Sequence, residues 1–244
     1  MIEFKNVVKS FEGKSVIDGM SFSVNQGETF CVIGGSGTGK SVTLKLLLGL
    51  LPVDAGEVYF KEQLINDLDE LKLNRIRQSF GMVFQGSALF DSMTVFENVA
   101  YPLYELNKYN DEEIERIVRE KLAVVDLVDT EDLYPADLSG GMRKRIGVAR
   151  ALATDPQVIL YDEPTAGLDP ANVNRIDHLI LNLQKRFAVT SILVTHNMES
   201  VYRVADRVAL LHNKKIGYVG TLKDFQNTAN VLVRQFVDGE LGAE

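Results

Sequence analysis

Short apolar runs alternate with amphipathic stretches along the chain. Residues 2–8 and 22–24 read as β-type segments, and Thr29–Ile33 is an apolar run of strand length that feeds a glycine-rich turn. A helix is predicted from Lys40 onward. Over residues 111–125 the spacing sets Ile114, Ile117, Val118, Leu122 and Val125 on one face of a helix. Acidic residues open that stretch, where the positive end of a helix dipole favours them. Another helix is predicted over 140–153. After Pro156, short apolar strands at 158–161, 192–195 and 208–211 alternate with helical stretches. This βαβ order predicts an α/β fold with a helical insertion from about Gln85 to Asp155.

Composition narrows the class without changing that picture. The chain has 244 residues, 45% hydrophobic and 25% charged, which suits one compact globular unit with a sizeable core. No apolar run approaches the ~18 residues needed to span a bilayer, and the stretch 44–53 is broken by Lys45, Gly49 and Pro52. The start, Met1 to Lys5, lacks the basic and apolar segments of a secretory signal, so the chain is expected to stay where it is made. A formal net charge of -8 argues against broad contact with nucleic-acid phosphates, and no nucleic-acid partner is expected. The single cysteine, Cys31, falls inside a predicted strand and is read as a small core residue.

Two segments carry chemistry. Gly34-Gly35-Ser36-Gly37-Thr38-Gly39-Lys40-Ser41 lies between a predicted strand and a predicted helix, the context a phosphate-binding loop requires. Glycines let consecutive backbone N–H groups curl inward, and the following helix aims its positive end at the same point. Lys40 is then placed to reach the β- and γ-phosphates, and the Ser41 hydroxyl is a hard oxygen ligand of the kind Mg2+ takes. The second segment, Val158-Ile159-Leu160-Tyr161-Asp162-Glu163, is an apolar strand ending in paired carboxylates. Asp162 is the candidate to hold Mg2+ through its hydration shell, and Glu163 the candidate to polarise an attacking water.

Leu138-Ser139-Gly140-Gly141-Met142 lies shortly before those carboxylates and resembles the signature motif of ABC ATPases. The resemblance covers essentially the whole chain, with its parts in the family's order. It implies a P-loop NTPase (RecA-like) core with an N-terminal antiparallel β subdomain and an inserted α-helical signature subdomain. The implied division is 1–84 with 156–225 for the core, 85–155 for the signature part, and 226–244 for a C-terminal tail. The resemblance assigns Phe11 to stacking on adenine, Gln85 to the Q-loop, Leu168-Asp169 to the D-loop and His196 to the γ-phosphate. Catalytic roles then fall on Glu163, His196, Gln85 and Lys40, and Mg2+ ligation on Ser41, Gln85 and Asp162. It further implies a homodimer arranged head to tail, in which Ser139, Gly140 and Gly141 of one copy close on the ATP held by the other. His178 and His212, outside any motif, keep the reading of structural histidines.

Three departures from the family pattern are Val42 after Lys40-Ser41, Met142 at the end of the signature, and Asn197 after His196. None removes a catalytic group, and Asn197 is still able to cap a following helix. Together with residues 84–92 and 234–239, the first two resemble the ATPase of MCE-associated phospholipid transporters, the Mla group. That likeness implies a membrane permease, an MCE-domain protein, in some cases a STAS-domain protein, and a place on the cytoplasmic face of the inner membrane. Another ABC importer or exporter motor shares every catalytic residue, and a non-transport ABC ATPase is the reading from another class. The tail, with Val231, Leu232, Val233, Phe236 and Val237, packs either across the dimer or on its own subunit.

Overall fold

The computed structural model describes residues 1–241. It opens with β1 (Ile2–Phe11) and β2 (Lys14–Val24), then β3 (Thr29–Ile33), α1 (Lys40–Leu47), β4 (Ala55–Phe60), β5 (Gln63–Leu64), α2 (Glu70–Arg77) and β6 (Phe80–Val83). Three helices follow, α3 (Val95–Leu106), α4 (Asp111–Val124) and α5 (Gly140–Leu152). The chain ends with β7 (Val158–Asp162), α6 (Pro170–Phe187), β8 (Thr190–Thr195), α7 (Met198–Val204), β9 (Arg207–His212), β10 (Lys215–Thr221), α8 (Leu222–Asn227) and α9 (Val231–Val237).

Two sheets result. A four-stranded antiparallel sheet has the order β2-β1-β4-β5, and a six-stranded sheet has the order β10-β9-β3-β8-β7-β6. Within the larger sheet β9, β3, β8, β7 and β6 are parallel, and only β10 runs the other way, paired to β9. Both faces of its middle strands are covered, which explains their unbroken apolar runs. Cys31, Ile33, Ile159 and Tyr161 point into one core with the helices α3 to α6. Phe30, Val32, Val158 and Leu160 point the other way, toward α1 and the small sheet, where Phe4, Phe22 and Phe30 stack in sequence.

Helix starts follow the side chains that precede them. Thr94 and Glu97 form a reciprocal capping box at α3, as do Asn110 and Glu113 at α4. The face of α4 read from its spacing is buried as expected, from Ile114 through Leu122, with Val125 just past its end. Asn197 does cap α7, its Oδ1 accepting from Ser200 N at 3.2 Å. The strand expected only at 22–24 is longer, an eleven-residue β2. Its front half contains Asp18 and Gly19, poor strand formers, and it is held by pairing with β1 through several register shifts.

Candidate functional site

Parallel order puts the carboxyl ends of β3, β8, β7 and β6 along one edge of the large sheet, the edge where open α/β sheets hold ligands. Each end carries a residue singled out from sequence: the glycine loop after β3, His196 after β8, Glu163 after β7 and Gln85 after β6. A cleft of about 550 Å³ elsewhere, between the end of α4 and α6, holds none of them. They meet in a different cavity, about 730 Å³, whose wall is formed by the loop residues Gly35, Ser36, Gly37, Gly39, Lys40 and Ser41. Phe11, Gln85, Glu163 and His196 complete it, together with Val16, Val42 and Leu241.

The loop is shaped by backbone and by one buried cation. Gly39, at φ 104°, stands in a conformation closed to most side chains and so allows α1 to begin immediately after the turn. Thr38 Oγ1 donates to Gly35 O at 2.9 Å, and Lys40 Nζ donates to Gly34 O and Gly35 O, each at 2.9 Å. The same ammonium lies 3.6 Å from Glu163 Oε1. Burial holds Lys40 below the usual lysine range, and the neighbouring Glu163 carboxylate partly offsets that. Beside it, Ser41 Oγ donates to Asp162 Oδ1 at 2.8 Å. A hydroxyl and a carboxylate oxygen in contact at the end of an anion-binding loop are the donor set that suits Mg2+.

Glu163 is held from several sides. Its backbone is left-handed, φ 46°, an uncommon state for a non-glycine residue that concentrates at functional positions. Oε2 accepts from Thr195 Oγ1 at 3.0 Å, and Oε1 lies 2.8 Å from His196 Nδ1. Two chain segments, the end of β8 and the glycine loop, therefore fix one carboxylate in a site where only 8% of the residue is exposed.

Ser139, Gly140, Gly141 and Asp169 do not line this cavity. They gather on a separate patch. Ser139 caps α5 through Met142 N at 3.2 Å, and Asp169 caps α6 through Ala171 N and Asn172 N. A side chain added at Gly141 would run into Asn172, whose Nδ2 donates to Asp169 Oδ2 at 2.5 Å. Hydrogen bonds from Asn172 keep the Asp169 carboxyl below the usual range, so the exposed patch carries an ionised acid beside the Ser139 helix start. A third surface feature is a groove of about 450 Å³ with Phe84, Phe90, Tyr101 and Pro102 in its wall. Phe84, Phe90 and Tyr101 are exposed, as is Tyr104 nearby on α3.

Sequence reasoning missed Thr195, Lys144 and Leu241. Thr195 was read only as strand. Lys144 shares the buried stripe of α5 with Gly141, Val148 and Ala151, and a lysine on such a stripe was the available signal. Leu241 reaches the loop through a tail whose docking had no periodic signature.

The sheet, the edge and the loop define a P-loop nucleotide-binding domain. The chain belongs to the ABC transporter family, whose pattern matches residues 17–166. It is an ABC transporter ATP-binding subunit, an ATP hydrolase. It is 41% identical to the chloroplastic protein TRIGALACTOSYLDIACYLGLYCEROL 3 of Arabidopsis thaliana, over 99% of this chain and 74% of that one. It is 40% identical to the probable ribonucleotide transport ATP-binding protein mkl of Mycobacterium bovis, over 98% of this chain and 66% of that one. Among solved structures, a dimeric ATP-binding cassette in a post-hydrolysis state with ADP and Pi superposes with TM-score 0.83 at 31% identity, covering 91% of this chain and 99% of that one. The protein cbiO1 of Clostridium perfringens superposes with TM-score 0.85 at 27% identity, covering 98% of each chain.

Proposed function

We propose that two copies of this chain bind and hydrolyse ATP between them to drive phospholipid transport through a membrane permease. The observation that carries the hydrolytic part is the Glu163 carboxylate, buried beside Lys40 and fixed by Thr195 and His196 at the mouth of the loop. On this reading Lys40 and the loop amides bind the β- and γ-phosphates, and Phe11 stacks on adenine. Ser41, Gln85 and Asp162 would hold Mg2+, which would supply charge neutralisation to the phosphates when bound. Glu163 accepts a proton from the attacking water, and His196 donates to the γ-phosphate as charge builds on it.

The separate patch of Ser139, Gly140, Gly141 and Asp169 makes sense as the half-site a second copy presents. Its helix start supplies N–H groups and a hydroxyl to the γ-phosphate opposite. Homodimerisation is supported by the dimeric state of the similar cassette. Residues 1–84 with 156–225 then act as the nucleotide-binding core and 85–155 as the part that carries the half-site. No helix among the described residues is long and apolar enough to cross a membrane, so transport needs a separate permease. The aromatic groove at Phe84, Phe90 and Tyr101, next to Gln85, is the surface we assign to it. A cytoplasmic position on the inner membrane, with MCE-domain and STAS-domain companions, completes this reading. Its lipid cargo is supported by residues 84–92 and 234–239 and by the relative named for a galactolipid.

The test is Glu163→Gln. It should bind ATP but lose at least ~100-fold in kcat, and accumulate as a nucleotide-bound dimer. Turnover at the normal rate would overturn the assignment of the base. For the cargo, the reconstituted complex should hydrolyse ATP faster in glycerophospholipid bilayers, and stimulation by methionine or a ribonucleotide instead would point to a different importer.

A further inference from the structure

One buried cation near the site has no part in the reading above. Lys144, on α5, is 6% exposed, and its ammonium donates to the backbone carbonyl of Gln85 and, at 3.5 Å, to that of Glu163. Among the described residues it forms no ion pair. Burying a lysine carries a desolvation cost that an apolar side chain of the same length avoids, so packing alone does not account for it. Burial holds its pKa below the usual lysine range, opposed by the carboxylates of Glu163 and Asp162.

The same helix grips the neighbouring loop a second time. Arg150 donates to Ala88 O at 2.7 Å and to Ser87 O at 2.9 Å, and both of those residues have left-handed backbones. Lys144 differs in joining two strand ends, the one after β6 and the one after β7. Ser139 sits at the start of this helix, little more than one turn from Lys144.

We propose that Lys144 is a positioning residue, which sets the peptide planes of Gln85 and Glu163 according to where α5 stands. Its ammonium links the half-site at Ser139 to the backbone of the residue that carries the water-polarising carboxylate in its own subunit. The Glu163 side chain, pinned at its far end by Thr195, turns on the peptide that Lys144 holds. This proposal rests on Glu163 being the base.

The experiment is steady-state ATP hydrolysis by the permease complex carrying Lys144→Met, Lys144→Arg or Glu163→Gln, and the Lys144→Met/Glu163→Gln pair. Lys144→Met should lower kcat by about 10- to 100-fold while KM for ATP moves less than about 3-fold, because a small misplacement of a catalytic group costs rate more than binding. Lys144→Arg, which keeps the charge and the donors, should recover most of the rate. In the Glu163→Gln background the Met substitution should lower the residual rate no further. Normal kcat in Lys144→Met, with Glu163→Gln inactive, overturns the Lys144 proposal alone. A further loss in the double variant, equal to that in the single one, also overturns it. Glu163→Gln turning over normally overturns the base assignment and this proposal together. Should Lys144→Met fail to fold, Lys144→Gln is read by the same criteria.

Discussion

Asp177 on α6 is 1% exposed, and its Oδ2 accepts from Arg203 Nη1 on α7 at 3.0 Å. Burial raises its pKa above the ordinary carboxyl value, and the guanidinium offsets this only in part. An acid whose folded pKa lies above its unfolded one favours folding in the protonated form. Its contribution is therefore lost as pH climbs from about 4 through the folded value. Asp177→Asn should lack that step, so its stability relative to the parent should improve as pH rises across this window, read from urea midpoints at a series of pH values. A constant difference would show that the carboxyl does not titrate there. The proposed ligand-contacting residues Lys40, Ser41, Asp162 and Glu163 were legible as candidates because spacing along the chain fixes them to a loop or strand end, and His196 because the family resemblance marks it. Thr195 and Lys144 were not, since their roles depend on carbonyls and carboxylates that distant strands deliver.

Elements were legible where one periodicity ran unopposed. The stripe of α4 and the apolar run of β3 are such cases, whereas β2 depends on a partner strand for half its length. The loop between β6 and α3 was read only as part of a helical region, and the side chain that shapes it is Asn98. Fully buried, Asn98 accepts from Phe90 N at 2.8 Å and donates to Phe90 O, Met93 O and Thr94 O at 3.0 to 3.1 Å. Asn98→Ala leaves the Phe90 N–H and the Met93 carbonyl without their side-chain partner, while Phe90 O and Thr94 O keep backbone donors in Met93 N and Asn98 N. It should cost about 2 to 4 kcal/mol, measured by denaturant unfolding. A loss under about 0.5 kcal/mol would mean that water enters and replaces the amide. Phe90 would move with its loop, so permease-stimulated ATPase should fall more than basal ATPase.

At the scale of the whole molecule, the tail docks on its own subunit as far as residue 241. Val233 is buried in the larger core, Leu232 fills the space above Gly217, and Phe236 and Leu241 flank the cleft beside Gly35 to Thr38. Removing residues 231–244 should therefore lower the melting temperature even in dilute, nucleotide-free protein, losing about 1.5 to 3 kcal/mol for Val233 alone. The loss should not depend on protein concentration, whereas one that grows as copies associate would place the tail's main contact on the partner. The alternation of strand and helix made the α/β class readable, while the docking of the tail was not, because nothing local distinguishes a helix that packs at home from one that packs abroad.

Cys31, the only cysteine, lies in β3, one of the two central strands of the large sheet, at zero exposure, and burial pushes its thiol far above the ordinary range. A thiol that neither ionises nor meets solvent is blind to maleimides and spin labels in the folded protein. A cysteine placed at Lys185, exposed on α6, would then be the sole reactive handle, and the separation between two labelled copies could be followed through the ATP cycle without first altering the core.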